Sequence, residues 1–132
     1  GDFAEKGKDE VEIKDVDYEE VTDLFQLIFD VQALITDSTL PHVLALGDRF
    51  QMKQVIAQSE IHLMISSTFS QAKKLLISDQ YRLDKLKNQC LLSYTTVTAI
   101  SVLESAPEFA QFSEKLKVDI LHRTFKIANA ST

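Results

Sequence analysis

The chain has 132 residues, 45% of them apolar and 26% charged, a length and composition of one small globular domain rather than a disordered segment. Its single cysteine, Cys90, excludes an internal disulfide and points to a reducing, cytoplasmic or nuclear setting. The net charge of −6 argues against a nucleic-acid binder, and neither a signal peptide nor an apolar run of roughly 18 residues that could span a membrane is present.

The chain opens on an acidic segment. Residues 1–37 hold twelve acidic residues against three lysines, whereas the remainder carries eleven basic and eight acidic ones. Within that segment "DEVEIKDV" (9–16) alternates Val11 and Ile13 with Glu12 and Lys14, the period of a short strand. Asp17 stands where a helix N-cap belongs, with Glu19 and Glu20 in the first turn, and a helix is predicted from Tyr18 to Phe29. Its apolar residues Val21, Leu24, Phe25, Leu27 and Ile28 cover more than one stripe, so both sides should be packed.

The middle of the chain repeats itself. At an offset of 31 residues, Leu44 matches Leu75, Asp48 matches Asp79, Phe50 matches Tyr81, Met52 matches Leu83, Val55 matches Leu86, Gln58 matches Gln89 and Ser59 matches Cys90. The agreement includes polar positions and runs without a gap, which predicts one helical hairpin used twice. In the first copy Thr39 is placed to cap a helix with Pro41 in its opening turn; that helix runs to about Phe50 and a second runs from about Met52 to Ile65. In the second copy Ser70 takes the place of Thr39, and helices are predicted over 71–81 and 83–94. Phe50 and Tyr81 are expected in equivalent buried places, beside the junction residues Met52 and Leu83. Beyond them come a short helix over 97–104, a break at Pro107, and an amphipathic helix after Ser113 with Leu116, Ile120, Leu121 and Phe125 on its apolar face; residues 128–132 read as a frayed tail.

Chemistry is sparse. His42, His62 and His122 stand alone, with no HExxH, CxxC, glycine-rich phosphate loop or GxSxG, so no enzyme, metal or cofactor is expected. Cys90 in mid-helix, opposite Ser59 of the first copy, reads as a small packing residue rather than a nucleophile. Asp48 and Asp79, a tempting carboxylate pair, read as local hydrogen-bonding groups at the two hairpin turns. Only "QAKKLL" (71–76) and "DKLK" (84–87) are basic, too little for a phosphate-binding face.

"EVEIKDVDYEEVTDLFQLIF" followed by "ITDSTLPHVLALGDRFQMKQVIAQSEIHLM" resembles the C-terminal half of a BTB/POZ domain, particularly the BTB domains of nematodes that accompany a MATH domain. "FSQAKKLLISDQYRLDKLKNQCLLSY" is similar to the three-box that follows many such domains, and the rest to the start of a BACK region. The resemblance implies a mainly α fold of helical hairpins with one short strand near the N-terminus. It divides the chain into a partial BTB domain (1–66), a three-box/BACK-like extension (67–127) and the tail. The family's N-terminal half, which carries most of its dimer interface, has no counterpart here, so the text reads as a piece of a longer protein and homodimerisation is in doubt. Leu24, Leu27, Leu46 and Ile56, which would pack on that half, are expected to be left uncovered. Gly47 stands where Ala is usual, and Phe29 and Asp30 replace a Tyr and a turn residue.

For function the resemblance implies protein binding, with a cullin-3-type ubiquitin-ligase scaffold as partner and an unknown substrate protein held by a region outside this chain. The family's cullin contact uses a hydrophobic-x-Glu motif, the helix ending in an aromatic, and a cleft made with the three-box. "FAE" supplies Phe3 and Glu5 for the motif, and Phe25 and Phe29 fall at the matching helix positions. The other reading of "FAE" is an ordinary acidic loop. A BTB-type assembly scaffold, transcriptional or cytoskeletal, is the alternative to the adaptor; the second hairpin favours the adaptor.

Overall fold

The computed structural model describes residues 35–130. Among these are six α-helices, one 3₁₀ segment and no strand: α1 (Leu40–Arg49), α2 (Lys53–Ile65), α3 (Gln71–Tyr81), α4 (Asp84–Ser93), α5 (Val97–Glu104), the 3₁₀ segment Pro107–Gln111, and α6 (Glu114–Ala130). The expected mainly helical class holds, while the strand and the Tyr18–Phe29 helix lie outside the described residues. The chain divides into two units, Gly1–Ser59 and Glu60–Thr132, with the division inside α2. Each is taken by itself.

Both hairpins turn by the same device. At the end of α1, Gln51 takes the left-handed conformation (φ 57°), and at the end of α3 its repeat partner Arg82 does the same (φ 58°). The amide of Met52 donates to the Gly47 carbonyl at 2.8 Å, and the amide of Leu83 donates to the Ser78 carbonyl at 2.9 Å. These are equivalent six-to-one bonds of a Schellman ending, which satisfy helix-terminal carbonyls while reversing the chain. Restart of the second helix is also shared: Ile56 donates to Met52 and Lys87 to Leu83, at 3.1 and 3.0 Å.

In the first unit the turn folds Met52 back on α1. Val43, Leu46 and Val55 form a buried cluster, with Met52 and Ile35 packed against it. Gly47 permits the close approach: a Cβ there would lie 3.0 Å from Val55 Cγ1 and 3.4 Å from Ile56 Cγ1. Its repeat partner Ser78 is small and buried as well. Leu46, expected to be uncovered, is buried by this cluster, and Ile56 is half-buried; Leu24 and Leu27 lie outside the described residues.

Two local expectations fail here, the first because the backbone has already met the need. Thr39 does not cap α1 with its side chain, because it is itself in helical geometry and Leu40 donates to the Thr36 carbonyl at 2.9 Å. The Thr39 hydroxyl instead accepts from the Thr36 amide at 2.9 Å. Phe50, expected to be buried, is 47% exposed, and Tyr81 is only half-buried. The left-handed residue turns the junction residue inward, Leu83 being 4% exposed, and leaves the helix-end aromatic outside; the Arg49 guanidinium lies 5.7 Å from the Phe50 ring centre.

In the second unit α3 packs on α4, the 3₁₀ segment packs on α3, and α6 packs on both α4 and α5. Leu63, Leu75, Leu86, Cys90, Ile100, Leu103, Phe112, Leu116, Ile120 and Ile127 are buried. Ser70, Thr96 and Ser113 cap the three helices that follow them, accepting from Lys73, Ala99 and Leu116 amides at 3.2, 3.1 and 3.2 Å. The residue before α4, Leu83, has no side-chain acceptor to cap it; the Glu60 carboxylate accepts from the Leu86 amide at 3.1 Å in its place. α6 departs from expectation. Leu116, Ile120 and Ile127 are buried, but Leu121 and Phe125 are half exposed because they lie on the opposite side of the helix.

Candidate interaction surface

Phe3, Glu5, Phe25 and Phe29 lie outside the described residues. The described candidate surface is therefore the second hairpin with the elements that hold it in place.

Three polar contacts of long sequence range fix that hairpin. Asp79, near the end of α3, accepts from the Ser113 amide at 2.8 Å and from the Ser113 hydroxyl at 2.6 Å, which ties α3 to the start of α6. This corrects the local reading of Asp79. At the first turn it is the Asp48 backbone carbonyl that accepts from Gln51, from its amide at 3.2 Å and from Nε2 at 2.8 Å. Arg123 donates from Nε and Nη2 to the Tyr94 carbonyl at 3.1 and 2.9 Å, placing a cation at the C-terminal end of α4 where the helix dipole favours one. Lys87 donates to Asp119 at 3.0 Å between α4 and α6.

Cys90 is a packing residue. It is 1% exposed, and burial pushes its thiol up to about 11, an effect that the nearby Lys74 only partly offsets. Burial also pushes the Tyr94 phenol up. Ser59, the repeat partner of Cys90, is fully buried and donates to the Val55 carbonyl at 2.8 Å, so both copies place a small residue at this position. Because a thiol is reactive as the thiolate, a shift from 9.0 to about 11 leaves roughly a hundredfold less of it. Ellman's reagent at about pH 8 is expected to leave Cys90 unmodified in the folded chain and to label it fully in urea; rapid labelling without urea would overturn the packing role.

The surface also shows what periodicity concealed. Ile61 and Ile65, four apart on α2, are 47% and 77% exposed, and Leu92 on α4 is 64% exposed. An i, i+4 apolar pair signals a helix face, but its covered or open state depends on what approaches it. Among the described residues no group of three or more His, Cys, Asp or Glu could hold a metal ion, and no helix is long and apolar enough to cross a membrane.

Comparison with known proteins gives the surface its context. The BTB/POZ domain family matches residues 1–67. The chain is 32% identical over 127 residues to BTB and MATH domain-containing protein 38 of Caenorhabditis elegans, covering 96% of this chain and 33% of that protein. It is 34% identical over 102 residues to BTB and MATH domain-containing protein 36 of the same organism, covering 77% of this chain and 32% of that protein. The chain thus spans about a third of the length of these curated relatives. No solved structure matches it. The family match covers half of the chain and the relatives extend the similarity through the second hairpin, so the chain belongs to the BTB/POZ domain family, whose domains are protein–protein interaction modules.

Proposed function

We propose that the chain is part of a substrate adaptor for a cullin-3 ubiquitin ligase, with Phe3, Glu5, Phe25 and Phe29 forming the cullin contact. The observation that carries this reading is the order of motifs within the family match: "FAE" precedes the strand-like "VEI", and the segment predicted helical from the sequence, with Phe25 and Phe29, follows. The repeated hairpin after residue 66 is read as the three-box and the helices beyond it as the start of a BACK region. The relatives' names pair BTB with MATH, and a region outside this chain is assigned to the substrate.

In this contact Phe3 contributes apolar burial and Glu5 accepts a hydrogen bond that fixes the partner's orientation. Truncating a central anchor costs at least ~2 kcal/mol, roughly thirtyfold in affinity, whereas a rim change costs less than ~1 kcal/mol. Calorimetric titration of the cullin-3 N-terminal domain into the chain should show Phe3→Ala weakening binding about thirtyfold and Asp9→Ala changing it little. Undiminished binding by a folded Phe3→Ala, Glu5→Ala double variant would remove these residues from the site. Absence of binding by the intact parent protein would favour the assembly scaffold.

A further inference from the structure

α6 carries two apolar stripes on opposite sides. Leu116, Ile120 and Ile127 face the core of the second unit. Val118, Leu121 and Phe125, spaced three and four residues apart over about two helical turns, are 48%, 50% and 56% exposed. Side by side with this outer stripe runs a cleft of ≈ 430 Å³ between α4 and α6, whose lining includes Leu91, Leu92, Arg123 and Lys126. His122 links the two, lining the cleft and lying one position from Leu121.

The charge of this region runs against that of the chain. Of the residues lining the cleft the one acid, Asp119, is already paired with Lys87 at 3.0 Å. Arg123 spends two N–H groups on the Tyr94 carbonyl, which leaves three of its five donors available. Lys126 is exposed at the rim. A chain of net charge −6 therefore presents an apolar stripe flanked by cations.

We infer that the outer face of α6 and the adjoining cleft dock an acidic amphipathic helix of a partner protein. Its apolar residues at i, i+3 or i+4, and i+7 rest on Val118, Leu121 and Phe125, and its carboxylates meet Arg123 and Lys126. A second copy of this chain fits less well, because a two-fold contact through α6 sets the cations of one copy against those of the other. This surface belongs to the second unit and includes none of Phe3, Glu5, Phe25 and Phe29.

The probe is a fluorescein-labelled peptide of about 18 residues, built from Glu and Ala with Leu at the i, i+3, i+7 positions. A matched peptide has every Glu replaced by Lys. Fluorescence anisotropy with the whole chain is expected to show the Glu peptide binding at least about tenfold more tightly than the Lys peptide, and weakening as salt is raised. Phe125→Ser and Lys126→Glu should each weaken it about tenfold. Both positions are exposed, and an unchanged helical circular dichroism spectrum confirms that the variants fold. Equal binding of the two peptides, or none, overturns the proposal. So does a dimer in sedimentation equilibrium that Phe125→Ser dissociates, which assigns the stripe to a second copy, or Lys126-dependent binding to phosphatidylserine vesicles with no peptide binding, which assigns it to a membrane surface.

Discussion

Replacing Leu75 by Ala is expected to lower stability by about 2–5 kcal/mol, and replacing its repeat partner Leu44 should cost a similar amount. Both side chains are fully buried, and each sits on the first helix of its hairpin one turn before the residue whose carbonyl closes the turn. Truncation removes the transfer free energy of the lost carbons and leaves a cavity that helices pinned at a Schellman ending cannot readily close. Ile65→Ala is the matched control: at 77% exposure its loss should fall within about 0.5 kcal/mol. Urea titrations followed by circular dichroism read all three. A midpoint for Leu75→Ala that coincides with that of Ile65→Ala would show that the position is not core.

Asp79→Ala should cost about 1.5–3 kcal/mol, because it removes a charged acceptor shared by two donors of Ser113. Ser113 is the residue whose hydroxyl accepts from the Leu116 amide, so losing Asp79 loosens the group that caps α6. Asp79→Asn is the informative companion. Its amide oxygen can accept from the Ser113 N–H and its amide nitrogen can donate to the hydroxyl, so it should recover most of the loss. Hydrogen exchange separates this tie from a general loss of stability: the amides of Leu116 and Lys117 should lose protection first. Equal effects of Ala and Asn, with uniform loss of protection, would defeat the assigned role.

Family membership makes the chain an interaction module, and the fold shows how such a module is built from little material. A single hairpin design, used twice, supplies four of the six described helices. Its turn places a non-glycine residue in left-handed geometry both times, at a conformational cost that the shared carbonyl bonds and the inward junction residue offset. Around the second copy, Glu60, Asp79 and Arg123 each satisfy a helix end from a different element. Polar groups at helix ends have few ways to be satisfied within their own helix, so these contacts fix the arrangement of α3, α4 and α6.

What the chain's own text determined were the features of short range. The matching turns, the cap at Ser70, the start of α6 after Ser113 and the bounds of α5 follow from residues within a few positions of one another, where backbone geometry and hydrogen-bonding needs are decided locally. The small buried residues Ser59 and Cys90 were legible because the repeat compares the chain with itself. Tertiary structure alone decided the rest. Leu121 and Phe125 fit an apolar stripe as well as Leu116 and Ile120 do, and periodicity cannot tell which stripe another helix will cover. Phe50 and Tyr81 occupy equivalent places in the text yet differ in exposure, because covering a helix-end aromatic requires a neighbour that the turn itself does not supply. The partner of Asp79 lies 34 residues away, and no rule of local spacing connects them. That bond exists because α3 carries the 3₁₀ segment on its flank, which delivers the first amide of the following cap to within reach of the carboxylate.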